Sequence, residues 1–523
     1  MKNVKRRGFL SGLSGSLAGL LTSTKLCKPE TAEAVSMTYT GGINEIVENP
    51  NDVKLKVKLV YSALRHSEPW VGPCRPSAGE SGDAEVASHR KNFKSWVEGY
   101  HEKITPLADL MEPTFLRYID ADREFHLNER EFGRLHADKD DVDLYIVNYG
   151  TASQFVATTI GKRFNKPVAM VTTGLASIDA SAHLRARGYE GYAPMDFGEL
   201  NKLCSLLLAR KVFRQTRMLV VTNIPMPGVS EQSSVCDFDD LAKRFGIGTK
   251  IINYNTLSTE MESVMGSKEY DKKARELADL LIKKAQGTYL DEKYVFSNAQ
   301  FYYTVKNLLD RFNCNAFTIE CWEFCTSRYP QKWKIVPCLV HTLLKDEGYA
   351  SACQGDISAL LAMRLLQSVS RKSTFMGNAF MDMESGLMKI GHSVPGIKMN
   401  GYDVPDLPFT LRHFTDQGWG AKVMINFAEN SERTVTLVNT DPLAKKIMAA
   451  KGYVEKCIGF TDGDERGSTI GCSLQAHLKM DDPRKLIHVS ADYGTHVAMG
   501  YGDYREDIRE VSAMLGMEYE DAT

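Results

Sequence analysis

Strands alternating with amphipathic helices up to about Lys372, and short strands separated by turn residues after it, predict an α/β protein. The expected architecture is two doubly wound parallel-sheet domains followed by a β-rich, barrel-like C-terminal domain. Length and composition agree. A chain of 523 residues is long for a single core, and 43% hydrophobic with 25% charged residues is ordinary for a globular protein. The expected division is a leader at 1–34, an α/β domain at 46–178, a second at 179–371, and the β-rich domain with a terminal helix at 372–523.

The leader reads MKNVKRRGFLSGLSGSLAGLLTSTKLCKPETAEA. Arg6-Arg7 lie in a positive stretch, Phe9-Leu10 follow, a mildly apolar run continues to Leu21, and Ala32-Glu33-Ala34 offers a small-residue cleavage site. The segment resembles a twin-arginine export signal, which implies an exported, periplasmic protein that folds before export. An ordinary secretory signal or a disordered tail is the plainer alternative. The apolar run is too short and too rich in glycine for a membrane span. Eleven cysteines are scattered without a second pair at zinc spacing, and most sit in apolar runs that read as buried thiols.

Beyond the leader, VKLKVKLVYSAL reads as a strand and DAEVASHRKNFKSWVEGYHEKI as a long helix. DLYIVNYG, ASQFVATTIGKRF and KPVAMVTTG then read as strand, helix and strand. TRMLVVTN, DFDDLAKRFG and KIINYN repeat that pattern in the second domain. Two long helical stretches, EYDKKARELADLLIKKAQ and NAQFYYTVKNLLDRF, lead to the strand AFTIE, which places Glu320 at a strand's carboxyl end, where open α/β sheets bind ligands. In the last domain GLMKIGH, FTLRHF, GAKVMINFA, RTVTLVNT, GSTIGCSLQA, KLIHVS and THVAMGYG read as strands, and REDIREVSAMLGMEY as the closing helix.

Composition narrows the partners. A net charge of −2 with no basic stripe after the leader argues against nucleic acid. The motif-bearing residues lie between Gln354 and His496. Asp356 stands where a helix N-cap belongs, before ISALLAMRLL, whose apolar stripe reads as core. Asp382 and Glu384 read as a solvated loop, and His392 follows an apolar strand where a satisfied core histidine is the plain alternative.

Three segments carry a family resemblance. CLVHTLLKDEGYASACQGDISALLAMRLLQSV, STFMGNAFMDMESGLMKIGHSVPG and THVAMGYGDYREDIREVSAMLGMEYE resemble, in order, three signatures of the L-fucose isomerase and L-arabinose isomerase superfamily. The resemblance implies an intramolecular oxidoreductase interconverting aldoses and ketoses in carbohydrate metabolism. It also implies a small-molecule sugar as ligand, a homo-oligomer, and a divalent metal, usually manganese (Mn2+), assisting general acid/base chemistry.

Carried over residue by residue, the family's base carboxylate falls on Gln354, with Asp356 beside it as a catalytic candidate, and the ligand carboxylate falls on Asn378. The ligand histidine falls on His496, and His392 falls on a histidine that is a ligand in the arabinose branch and a substrate-side residue elsewhere; Glu320, from its strand-end position, is a substrate-binding candidate. Amides at 354 and 378 change the expected chemistry. A carboxamide accepts no proton near neutral pH and offers a neutral oxygen to a cation. Metal binding is therefore expected to weaken unless Asp356, Glu320 or Glu384 replaces the lost carboxylates. Two other readings stand beside the isomerase: an exported sugar-binding protein without turnover, and an epimerase or lyase on the same fold.

Overall fold

The β-branched and apolar runs of the first domain form a parallel sheet in the order Ala108–Leu110, Leu55–Arg65, Leu144–Val147, Val168–Ala169 and Gly191–Tyr192, with Thr114–Asp120 also paired to Leu55–Arg65. The computed structural model describes residues 38–39, 48–73, 76–120, 129–150, 153–224, 230–462 and 468–523. The leader at 1–34 lies outside them. Strand periodicity puts a helix layer on each face. Leu144 and Ile146 pack with Tyr100, Leu200 and Leu207, while Tyr145 and Val147 pack with Val156, Ile160 and Leu184.

A second sheet runs Thr38–Tyr39, Gly248–Ile252, Arg217–Val221, Ala316–Ile319 and Ala350–Ala352, parallel except for the first pair. Leu219, Val221, Phe317 and Ile319 face Tyr254, Leu257 and Phe301. Met218, Val220, Ala316 and Ala350 face helix Ile357–Ser370. That helix is buried on nearly every side, from Ile357 through Gln367. An apolar stripe alone does not require this. The reason is position: one side meets the sheet, and the other meets Val438 and Ala498 of the C-terminal strands.

Those strands close on themselves. Phe375–Met381 pairs with Met388–His392 and with His496–Tyr501; Leu474–Lys479, Lys446–Ile458 and Thr434–Thr440 complete an antiparallel ring, since Thr434–Thr440 pairs with both Lys446–Ile458 and His496–Tyr501. Closure leaves no free edge within the ring. The barrel-like expectation thus holds, with three corrections. Phe409–His413 and Ala421–Ile425 leave the barrel and form a small sheet with Gly287–Tyr289, because Leu411 and Val423 pack with Ala278 and Leu281 of helix Lys268–Lys284. KLIHVS is helical, within Pro483–Ser490, because the Asp482 carboxylate accepts from the N–H groups of Arg484 and Lys485 and Pro483 takes the first turn. Lys446–Ile458, a strand the sequence reading passed over, is the longest in the ring.

Ser36–Thr523 form one compact unit. Helix Phe197–Arg214 shows how the expected domains share a core: Leu200 and Leu207 pack on the first sheet, and Leu206 and Phe213 pack with Met218 of the second sheet and Phe245 of helix Phe238–Phe245. Among the described residues, no helix is long and apolar enough to cross a membrane. The cysteines also differ from expectation. Cys204, Cys314, Cys338 and Cys353 are buried, but Cys236, Cys325 and Cys472 are exposed and Cys321 and Cys457 half-buried.

Candidate functional site

Three neighbouring strands of the second sheet end at one place. Ala316–Ile319 delivers Glu320, Ala350–Ala352 delivers Gln354 and Asp356, and the loop after Arg217–Val221 delivers Glu231. The barrel strand His496–Tyr501 meets them with His496. This is the carboxyl end of a parallel sheet, where strand-end loops converge.

Local chemistry explains the approach. Gln354 and Gly355 both take left-handed backbone, at φ 62° and 70°, which turns the chain sharply before Asp356. The Gly355 N–H donates to the Ile319 carbonyl at 3.1 Å, so the turn lies against the Glu320 strand. The Glu231 loop is stitched to the next helix: Ser234 Oγ donates to the Gly355 carbonyl at 3.0 Å, and Ser358 Oγ donates to the Ser233 carbonyl at 3.1 Å. Gly494, at φ 106°, lets this loop close on the barrel, since a Cβ there would lie 2.2 Å from Ser233 Oγ.

The centre is Glu231, Asp356 and His496, whose ligand atoms lie within 4.8 Å of one another. His496 Nδ1 is 2.8 Å from Asp356 Oδ2 and 3.3 Å from Glu231 Oε2. The three are 0–7% exposed. Asp356 works twice, since its other oxygen accepts from the Ala359 N–H at 2.9 Å as the helix cap. Glu231 takes support from Ser233 Oγ, which donates to Oε1 at 2.8 Å, and from Thr495 Oγ1, 3.3 Å from Oε2. Two buried carboxylates thus share one imidazole, an arrangement short of positive charge.

That donor set fits a hard divalent cation: two carboxylate oxygens and one imidazole nitrogen. Cis donors around such an ion sit about 3 Å apart, and the separations here are 2.8 and 3.3 Å. A cation held there would take the place of the hydrogen shared between His496 Nδ1 and Asp356 Oδ2. Manganese, implied by the resemblance, is compatible with these residues.

Of the other expected residues, Gln354, His392 and Asn378 lie beside this centre. His392 Nε2–H donates to Gln354 Oε1 at 3.1 Å, and its ring lies 5.6 Å from that of His496. Burial, and next the neighbouring His496, hold the His392 pKa well below its ordinary value, so the ring is neutral. With Nε2 donating, Nδ1 carries the lone pair, buried and without a partner. Asn378 lies opposite His496 on the neighbouring barrel strand, and its Oδ1 is 3.1 Å from Thr495 Oγ1, the hydroxyl that also lies 3.3 Å from Glu231 Oε2. Glu320 is fully buried: Oε2 caps helix Cys321–Thr326 by accepting from the Glu323 N–H at 2.7 Å, and the backbone N–H groups of Trp322 and Ser230 also face the carboxyl. Burial raises its pKa above the usual carboxylate range, against the opposing N–H groups of Glu323 and Trp322. Glu384 is exposed, and Asp382 pairs with Lys389 at 2.8 Å. Both belong to a solvated loop.

Sequence reasoning missed Glu231 and Thr495. Glu231 lies in GVSEQSS, which has neither period nor motif; the one available signal was its place beyond a parallel strand. No family model matches the chain, and no curated protein matches it.

Proposed function

We propose that this chain is a divergent member of the L-fucose/L-arabinose isomerase-like superfamily, an exported aldose–ketose isomerase acting on a small sugar. Its divalent cation, manganese, is held by Glu231, Asp356 and His496. The observation that carries the reading is the buried pair of carboxylates on one imidazole nitrogen. Glu231 and Asp356 supply the charges that the amides at 354 and 378 lack.

A bound divalent ion supplies Lewis-acid polarisation of a sugar oxygen. The chain's own residues supply the rest. Gln354 is held by His392 and cannot take a proton. Glu320, buried beside the Gln354–Asp356 turn with a raised pKa, is the proton-transfer group in its place. His392, neutral and anchored through Nε2, presents its Nδ1 lone pair to a sugar hydroxyl.

The test is solvent exchange. Full-length protein loaded with manganese is incubated with five- and six-carbon aldoses in deuterated water. Ketose carrying deuterium at the exchanged carbon, lost in Glu320→Gln, is the expected result. Equal turnover in Glu320→Gln removes Glu320 from the role. A second reading, sugar recognition without turnover, is favoured by the Gln354–His392 bond, which spends the base position on structure. Saturable sugar binding with no exchange for any sugar would select it. Export is tested separately: a reporter fused after Ala34 reaches the periplasm, and changing Arg6 and Arg7 to lysine blocks it.

A further inference from the structure

The thiols of Cys321 and Cys353 lie 3.0 Å apart, one at the start of helix Cys321–Thr326 and one in the turn before Gln354. Cys321 directly follows Glu320, and Cys353 directly precedes Gln354. Their parent strands are already paired, with Thr318 opposite Ala352, and the Gly355 N–H holds the turn to Ile319. The two sulfurs are therefore neighbours because the sheet makes them so.

We propose that Cys321 and Cys353 form a reversible disulfide that clamps the Glu320 loop to the Gln354–Asp356 loop. This goes beyond the isomerase reading and holds whether or not a cation binds. Accessibility gives the order of events. Cys353 is buried, at 3% exposure, and its amide donates to Met376 Sδ at 3.2 Å. Cys321 is half-buried, the more exposed of the two residues, and is assigned the first attack.

With a small-molecule disulfide such as oxidised glutathione as oxidant, the exchange balances. The Cys321 thiol gives its proton to water, and the thiolate attacks one glutathione sulfur. A mixed disulfide forms, and one glutathione thiolate leaves. Cys353 then loses its proton, and its thiolate attacks the Cys321 sulfur. The Sγ–Sγ bond forms, and the second glutathione thiolate leaves. The two released thiolates take up two protons. The protein has lost two electrons and the oxidant has gained them. The bond ties residues 32 apart in sequence, a loop long enough for the cross-link to restrict the unfolded chain substantially.

The experiment uses the full chain, incubated with oxidised glutathione, quenched with N-ethylmaleimide and digested without reductant. A Cys321–Cys353 peptide should be the dominant cross-link, reversed by dithiothreitol and absent from Cys321→Ser and Cys353→Ser. The oxidised wild type should melt about 3 °C above the reduced form, with no such shift in either serine variant. Peptide mapping on the wild type alone decides the matter if a variant fails to fold. Quantitative alkylation of both thiols after oxidation, or a dominant bridge through Cys325, Cys338 or Cys472, would overturn the proposal.

Discussion

His496 Nδ1 lies 2.8 Å from Asp356 Oδ2, a contact across 140 positions of sequence that joins the barrel to the second parallel sheet. The same Asp356 caps helix Ile357–Ser370. The two duties separate by substitution. Asparagine caps as well as aspartate, so Asp356→Asn should leave thermal unfolding nearly unchanged while lowering manganese affinity about 100-fold, because a charged ligand oxygen is lost. Asp356→Ala should lose the same affinity and a further ~1 kcal/mol of stability with the cap. Calorimetry beside thermal melts checks both.

Glu320 predicts an opposed pair of effects. Its folded pKa is raised by burial, so the folded state holds the carboxyl proton more tightly than the unfolded state. Ionisation therefore costs stability as pH rises through and above the unfolded value. Glu320→Gln keeps an acceptor for the Glu323 N–H and removes that cost. The variant should lose proton exchange on the sugar, yet melt at or above the wild-type temperature at pH 8. Its advantage should shrink as pH falls toward 4. A variant less stable than wild type at pH 8 would count against the buried, raised carboxyl.

His341 sets an acid limit. It is fully buried, with Nδ1 2.8 Å from Ser351 Oγ, and burial lowers its pKa to about 3. The unfolded chain binds a proton there near 6.5, so stability is fully present above 6.5 and is lost as pH falls toward 3. Each pH unit in that window costs about 1.4 kcal/mol for this group. His392, depressed for the same first cause, adds to the slope. His341→Gln should flatten the fall in stability between pH 6 and 4, read by urea unfolding at stepped pH. An unchanged slope would mean that His341 is not held neutral.

Gln354 and His392 yield a spectroscopic prediction. The His392 ring should not titrate between pH 5 and 8 in wild type. Gln354→Glu sets a carboxylate where an amide oxygen now lies 3.1 Å from Nε2, and an opposite charge favours the imidazolium. The His392 ring signal should then move with pH in that range. A signal silent in both proteins would mean that burial outweighs the added charge.

The sequence was most legible where periodicity was strong. The parallel strands Leu55–Arg65, Leu144–Val147 and Arg217–Val221 and the long helices Gly82–Lys103 and Glu292–Arg311 stand where their patterns placed them. It misled at KLIHVS, where Asp482 and Pro483 outweigh the β-branched residues, and at Lys446–Ile458, whose Ala-Ala-Lys-Gly centre has little strand character. Short contacts link Gln354 to His392, His392 to His496, His496 to Asp356, and Asn378 to Thr495. Glu231 was not legible, because only the tertiary stitching of Ser233 and Ser234 to the helix brings it there.

Manganese titration of the full-length wild type against Glu231→Gln, read by calorimetry and by the spin-resonance signal of the free ion, tests the central claim most directly. Glu231 is the ligand for which the family resemblance gives no expectation, so its contribution rests on the geometry alone. Wild type should bind one ion tightly per chain, and Glu231→Gln should bind it about 100-fold more weakly. Wild-type protein that leaves all the manganese free, or binding unchanged by the substitution, would contradict it.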